Sequence, residues 1–164
     1  MKLPKSAFSI LGIPQHFYDK TWGDTKLLPT KQRAFQESIS RAPISGLLLV
    51  AGTSAPIVNQ MFDMDRKVIG ISFPEVFDDK FNSGDNEGYP NSPVVLIYDV
   101  GLESAKNKEF SMTILNSIIS YYKARETLLI IETPFTISNF QATYGLLISN
   151  TMSIPQQEDV KWVQ

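Results

Sequence analysis

Short runs of consecutive apolar residues dominate the middle of the chain. Val94-Val-Leu-Ile-Tyr98 follows Pro93 and ends at Asp99, with Gly101 just beyond. Gly46-Leu-Leu-Leu-Val50 and Leu128-Leu-Ile-Ile131 have the same character, the latter running into Glu132-Thr133-Pro134. Runs of this length between chain breakers read as strands buried on both faces, as in parallel sheets. A further strand is predicted over 67–72. A last short one is predicted over 159–164, where Val160, Trp162 and Val163 alternate loosely with polar residues.

Helical periodicity fills the intervals. Residues 28–42 read as a helix capped by Thr30, with Phe35 and Ile39 on one face and Pro43 as its stop. A loop over 51–56 leads into a short helix over 57–62. Ser72 and Glu75 have capping-box spacing with Pro74 in the first turn, which predicts a helix over 73–81. A polar, glycine-containing loop over 82–92 follows. The clearest helix is 106–125, whose Phe110, Ile114, Leu115, Ile118 and Tyr122 form one stripe. A moderately amphipathic helix over 138–149 carries Phe140, Tyr144 and Leu147 or Ile148. Alternating strands and helices imply a parallel sheet with helices on both faces.

Residues 1–27 behave differently. Pro4, Gly12, Pro14 and Gly23 argue against a long helix, and Phe8, Phe17, Tyr18 and Trp22 argue against disorder. They read as an irregular lead-in packed on the core, with a short helical turn near 15–19. Residues 28–164 read as a single α/β domain.

Composition narrows the chemistry. A length of 164 residues suits one domain, and 43% hydrophobic with 20% charged residues is ordinary for a globular protein. The absence of cysteine excludes disulfide scaffolds, cysteine nucleophiles and cysteine-ligated metals. No segment is apolar enough for a signal peptide or a membrane span, so a cytoplasmic protein is expected. A net charge of −2 and a pI near 5.4 do not supply the positive field that tight phosphate-mediated DNA binding needs. The lone histidine, His16, has no triad or metal partner in the pattern and reads as a surface residue. Asp99 lies where α/β sheets place ligands, at the carboxyl end of a buried strand. The same position also suits an aspartate that caps the next turn.

The order of these elements resembles the AAA+ domain of bacterial replicative-helicase loaders of the DnaC/DnaI type and of the related transposition ATPase IstB. Leu11-Gly-Ile-Pro14 with Phe17-Tyr-Asp-Lys-Thr-Trp22 looks like that family's lead-in, and Gly46 to Val50 like its first core strand. Val94 to Glu103 looks like its Walker B strand and the residues just after, and Phe110 to Ile131 like the helix and sensor 1 strand that follow. The resemblance spans nearly the whole chain. It implies a three-layer α/β fold with a parallel sheet, a P-loop/AAA+-like core without a C-terminal lid.

Four parts of the family's nucleotide machinery are altered. Laid on the Walker A pattern G-x-x-x-x-G-K-[ST], Gly52 keeps the first glycine and Ala55 lies inside the loop. Ile57 replaces the second glycine, Val58 the lysine and Asn59 the magnesium-binding hydroxyl, while Pro56 removes an amide from the phosphate cradle. Asp99 keeps the first Walker B acid, but Val100 replaces the second. The sensor 1 tripeptide becomes Glu132-Thr133-Pro134. The stretch matching the arginine-finger helix, Gly145 to Met152, has no arginine.

The resemblance with these losses implies a catalytically inactive AAA+-like protein with a vestigial nucleotide site and no cofactor or metal. Asp99 is then expected to cap the 100–103 turn. The expected role is in DNA replication, binding a helicase loader, a helicase or an initiator as adaptor or inhibitor, with homo-oligomers compatible with the fold. Phe17, Tyr18, Trp22 and Trp162 are candidate partner anchors, with local core packing as the competing reading. The alternatives are a divergent NTPase using Asp99 with a replacement cation such as Arg66 or Lys67, and a DnaA-related regulator of initiation.

Overall fold

The computed structural model describes residues 3–83, 89–103, 108–144, 150–154 and 158–163, with side chains described over 3–78, 89–103, 109–136 and 138–144. The predicted apolar runs form the centre of a six-stranded sheet. They are β1 (Gly46–Ala51), β3 (Val94–Tyr98) and β4 (Leu128–Thr133), joined by β2 (Val68–Ser72), β5 (Asn150–Ile154) and β6 (Glu158–Val163). The strand order is β2-β3-β4-β1-β6-β5. The four strands from β2 to β1 are all parallel, while β6 runs antiparallel to β1 and β5 antiparallel to β6.

The central strands are continuous apolar runs because helices cover both faces. Leu48, Val50, Val94, Leu96, Leu128 and Ile130 point to one side. There they pack with Phe8, Ile13, Phe17, Trp22 and Leu27 of the lead-in, and with Phe35, Ile39, Ile57, Val58 and Met61. Those last five lie on α2 (Pro29–Ser40) and α3 (Ala55–Asp63). Leu49, Ala51, Val95, Ile97, Leu129 and Ile131 point to the other side. They meet α4 (Phe73–Ser83), α5 (Lys108–Lys123) and α6 (Ile137–Tyr144) through Phe73, Phe77, the predicted α5 stripe, Phe140 and Tyr144. Full burial of each such aliphatic side chain contributes about 1.5–3 kcal/mol.

Several elements depart from the sequence-based expectation. The lead-in contains a helix, α1 (Lys5–Ile10), and two 3-10 turns, Gln15–Phe17 and Trp22–Asp24. Pro4 and Gly12 bracket α1 rather than interrupt it: Pro4 is its N-cap, and Gly12 takes a φ of 74° just beyond it. The α2 helix begins at Pro29, with Leu28 as N-cap, so Thr30 lies inside the first turn and does not cap. The α3 helix opens two residues early, at Ala55, since Pro56 is well suited to a first turn. The sheet is mixed at one side, because β6 pairs antiparallel with β1. Asn150, Thr151 and Met152, matched above to the arginine-finger helix, lie in β5. The rest of the predicted 138–149 helix beyond Tyr144, and residues 84–88 of the predicted loop, lie outside the described residues.

The lead-in closes the sheet edge at β2. Gly70 N–H donates to Leu11 C=O at 2.8 Å. The two backbones meet at a pair of glycines, where a Cβ on Gly70 would sit 2.6 Å from the Gly12 carbonyl oxygen. Covering an edge in this way removes a row of unpaired groups that would otherwise recruit another strand.

Candidate functional site

Parallel strands deliver their carboxyl ends to one rim of the sheet, and three converge here. Gly52 follows β1, Asp99 follows β3, and Glu132 and Thr133 end β4. The rim is stitched by Gly52 N–H to Thr133 C=O at 2.8 Å, Val100 N–H to Glu132 C=O at 3.1 Å, and the Thr133 hydroxyl to Val100 C=O at 2.6 Å. The lead-in forms the facing wall, with His16, Phe17, Lys20 and Asp24. Between them lies a cleft of about 480 Å³, with Gly52, Ala55, Asp99, Glu132 and Pro134 on the sheet side.

Glu132 dominates this cleft. The residue is only 9% exposed. One oxygen, Oε2, accepts hydrogen bonds from both the Ser54 backbone N–H at 2.8 Å and the Ser54 hydroxyl at 2.5 Å. Ser54 is the N-cap of α3, so the carboxylate sits at the positive end of that helix. Helix N-termini with free amides are where P-loop proteins hold phosphate. Here an acid of the same chain takes the amide. Burial pushes the Glu132 carboxyl up to about 7; the Ser54 bonds oppose that rise and the nearby Asp99 charge adds to it.

Asp99 is half-buried, and its backbone takes a φ of 61°, a region that Asp tolerates better than most residues. Its C=O accepts from Leu102 N–H at 3.1 Å, closing the turn. The side chain that caps the turn, however, is not Asp99. Gly101 N–H donates to Glu103 Oε2 at 2.7 Å, and Tyr144 donates its hydroxyl to Glu103 Oε1. The expectation that Asp99 caps the 100–103 turn is therefore corrected. Glu103, two residues beyond Gly101, reaches that amide, and the Asp99 carboxylate lines the cleft with no hydrogen bond or ion pair among the described residues.

Of the six predicted nucleotide-site residues, Gly52, Ala55 and Asp99 line the cleft. Ile57 and Val58 are fully buried beneath the sheet and do not reach it. Asn59 serves as a clamp instead: its amide donates to Phe17 C=O at 2.6 Å, Lys20 C=O at 2.9 Å and Ala55 C=O at 3.1 Å. The neighbouring Gln60 accepts from Trp22 Nε1 at 2.7 Å and donates to Gln36 C=O at 2.7 Å. The α3 helix thus holds the lead-in through Gln60 and through Asn59, the position that the resemblance matched to a magnesium-binding hydroxyl.

The candidate partner anchors fall in different environments. Phe17 and Trp22 are core residues, 2% and 6% exposed, because the lead-in lays them against α2 and α3; Trp22 stacks on Phe35 with ring centroids 5.6 Å apart. Tyr18 is half-buried and packs edge-on against Phe8. Trp162 pairs through its backbone with Leu48 in the sheet, and its side chain lies outside those described. His16 is exposed at the rim of the cleft, as expected for a surface residue. Glu132 carried a signal that the sequence reading used only for Asp99: an acid closing a buried apolar run.

These features define an α/β protein with an AAA+-like, P-loop-type core. No family model matches the sequence, and no curated protein matches it. Solved structures match the fold. DnaI aligns with a TM-score of 0.55 and 18% identity over 84% of this chain and 80% of its own. The DnaC helicase loader aligns with a TM-score of 0.56 and 10% identity over 80% of this chain and 90% of its own. Domain III of the replication initiation protein DnaA from Thermotoga maritima aligns with a TM-score of 0.51 and 16% identity over 70% of this chain and 56% of its own. The chain therefore has a DnaC/DnaI-like AAA+ fold. No helix among the described residues is long and apolar enough to cross a membrane.

Proposed function

We propose that this chain is a nucleotide-independent AAA+-fold protein that acts in DNA replication by binding another replication protein, a helicase loader, a helicase or an initiator, as adaptor or inhibitor. The observation that carries the first half is the Glu132–Ser54 contact. A P-loop places amides and a lysine around a triphosphate. Here Ser54 N–H is bonded to a carboxylate, the lysine position is the buried Val58, and a second carboxylate, Asp99, faces the same space. A triphosphate entering this cleft meets like charge where the fold usually offers counter-charge. Lys20 and His16 on the lead-in wall are the cationic residue types lining it.

The second half is supported by the fold's likeness to DnaI, the DnaC helicase loader and DnaA domain III. Fold likeness alone does not fix a role, so the test is direct. Affinity capture of the tagged chain from its native host, without added nucleotide, is expected to recover a replicative helicase, loader or initiator. Recovery of none of these would remove the replication assignment. Capture that requires added ATP would favour the divergent-NTPase reading.

A further inference from the structure

The cleft has a charge character opposite to that of a nucleotide site, and this points to what fills it. Two carboxylates on adjacent strand ends face the cavity: Asp99, with no hydrogen bond or ion pair among the described residues, and Glu132, nine-tenths buried. Both Ser54 donors go to Glu132 Oε2, which leaves Oε1 without a donor among the described residues. Asp24, across the cleft, is exposed and already engaged. Its carboxylate accepts from Thr21 N–H at 2.7 Å and from the Thr21 hydroxyl at 3.1 Å. The Thr21 bonds hold the Asp24 carboxyl below its usual value, and the Lys20 charge lowers it further. The floor is left with unmet acceptor capacity in a cavity of about 480 Å³, the size that takes small organic groups.

A bare metal ion fits poorly. No group of three or more acidic or histidine ligands converges among the described residues, and a hard divalent cation wants six or more oxygens. A planar guanidinium fits the donor–acceptor pattern: its fork offers donors to two carboxylates at once, and its stem is apolar. Phe17, Pro56 and Pro134 line the walls against which such a stem would lie.

We propose that the cleft is a socket for an arginine side chain presented by the protein partner, its guanidinium held between Asp99 and Glu132 in the space where a P-loop protein holds phosphate. This rests on the protein-binding reading above and names the chemistry by which that partner is recognised. The side chain enters between the lead-in wall and the Gly52 loop. Losing the Asp99 charge removes half of the recognition without disturbing the fold, because asparagine also tolerates a φ of 61°.

The test is a titration of the full chain with N-acetyl-arginine methylamide, followed by amide chemical shifts, with N-acetyl-citrulline methylamide as the uncharged analogue and spermidine as a free cation. The expected result is saturable shifts at Gly52–Ser54 and Val100–Gly101 with the arginine compound and none with the citrulline compound. D99N should weaken the affinity by about tenfold, the scale of one charge-assisted bond. No saturable shift, equal binding by D99N, or equal binding of the citrulline compound would overturn the socket. Tighter binding of spermidine at the same amides would replace the partner side chain with a free polyamine. The two readings fail separately. Partner capture that is equal for wild type and D99N defeats the socket and leaves the protein-binding role standing. Saturable binding of ATP with magnesium defeats the nucleotide-independent role itself.

Discussion

The Glu132 carboxylate accepts both the backbone N–H and the hydroxyl of Ser54, at 2.8 and 2.5 Å, across 78 positions of sequence. This contact fastens the end of β4 to the start of α3. It also places a buried ionisable group at the centre of the fold, with consequences for stability against pH.

Burial raises the Glu132 carboxyl from 4.5 to about 7. The folded state therefore holds its proton more tightly than the unfolded state, and stability is greatest below the unfolded value. It falls as pH rises from about 4.5 to about 7 and stays low above that window. Glu132→Gln keeps an acceptor for Ser54 without the charge. The variant is expected to match wild type near pH 5 and to exceed it at pH 8 by an amount on the order of 2–3 kcal/mol. Urea denaturation of both proteins at several pH values checks this, since other titrating groups cancel in the difference. A gap independent of pH would contradict it.

The Asn59 clamp predicts local rather than global loosening. Asn59→Ala removes three donor contacts to Phe17, Lys20 and Ala55 carbonyls. The expected cost is about 1–2 kcal/mol. Hydrogen exchange should accelerate in residues 15–22 more than in β1, β3 or β4. Uniform acceleration across the sheet would contradict the clamp.

At the sheet edge, Gly70→Ala forces a Cβ to within 2.6 Å of the Gly12 carbonyl oxygen, a backbone atom with no easy escape. The expected loss is about 1–3 kcal/mol, the usual cost of overpacking. A chemical denaturation midpoint equal to that of wild type would show that the lead-in does not sit on β2.

Trp22 distinguishes core from contact anchor. Trp22→Ala removes the stack on Phe35 and the bond to Gln60, and should cost about 3–5 kcal/mol of stability. A variant that keeps full stability and loses only partner capture would restore Trp22 to the surface role.

The parts of the fold legible from sequence are those whose environment is uniform along the chain. β1, β3 and β4 are buried on both faces, so each reads as an unbroken apolar run, and the α5 stripe from Phe110 to Tyr122 reads as one helical face. α1 is hidden in the sequence because Pro4 and Gly12 read as breakers, whereas a six-residue helix fits between them. β6 is legible from its own alternation, whereas β5 takes its place from antiparallel pairing with β6. Within the cleft, Gly52 and Asp99 stand out in the sequence by the motif positions that the resemblance gives them. Glu132 is legible as an acid closing an apolar run, but its bond to Ser54 is made only by the fold. Phe17 and Trp22, for which core packing and a contact role compete in the sequence, are core residues once the lead-in lies on α2 and α3.

A cleft lined by Asp99 and Glu132 is expected to refuse nucleotide. Isothermal titration of the full chain with ATP and magnesium at pH 7.5 is the most direct measurement. The account predicts no saturable heat up to millimolar nucleotide, for wild type and for D99N alike. Saturable binding by wild type that D99N abolishes would contradict it and return Asp99 to a working nucleotide site.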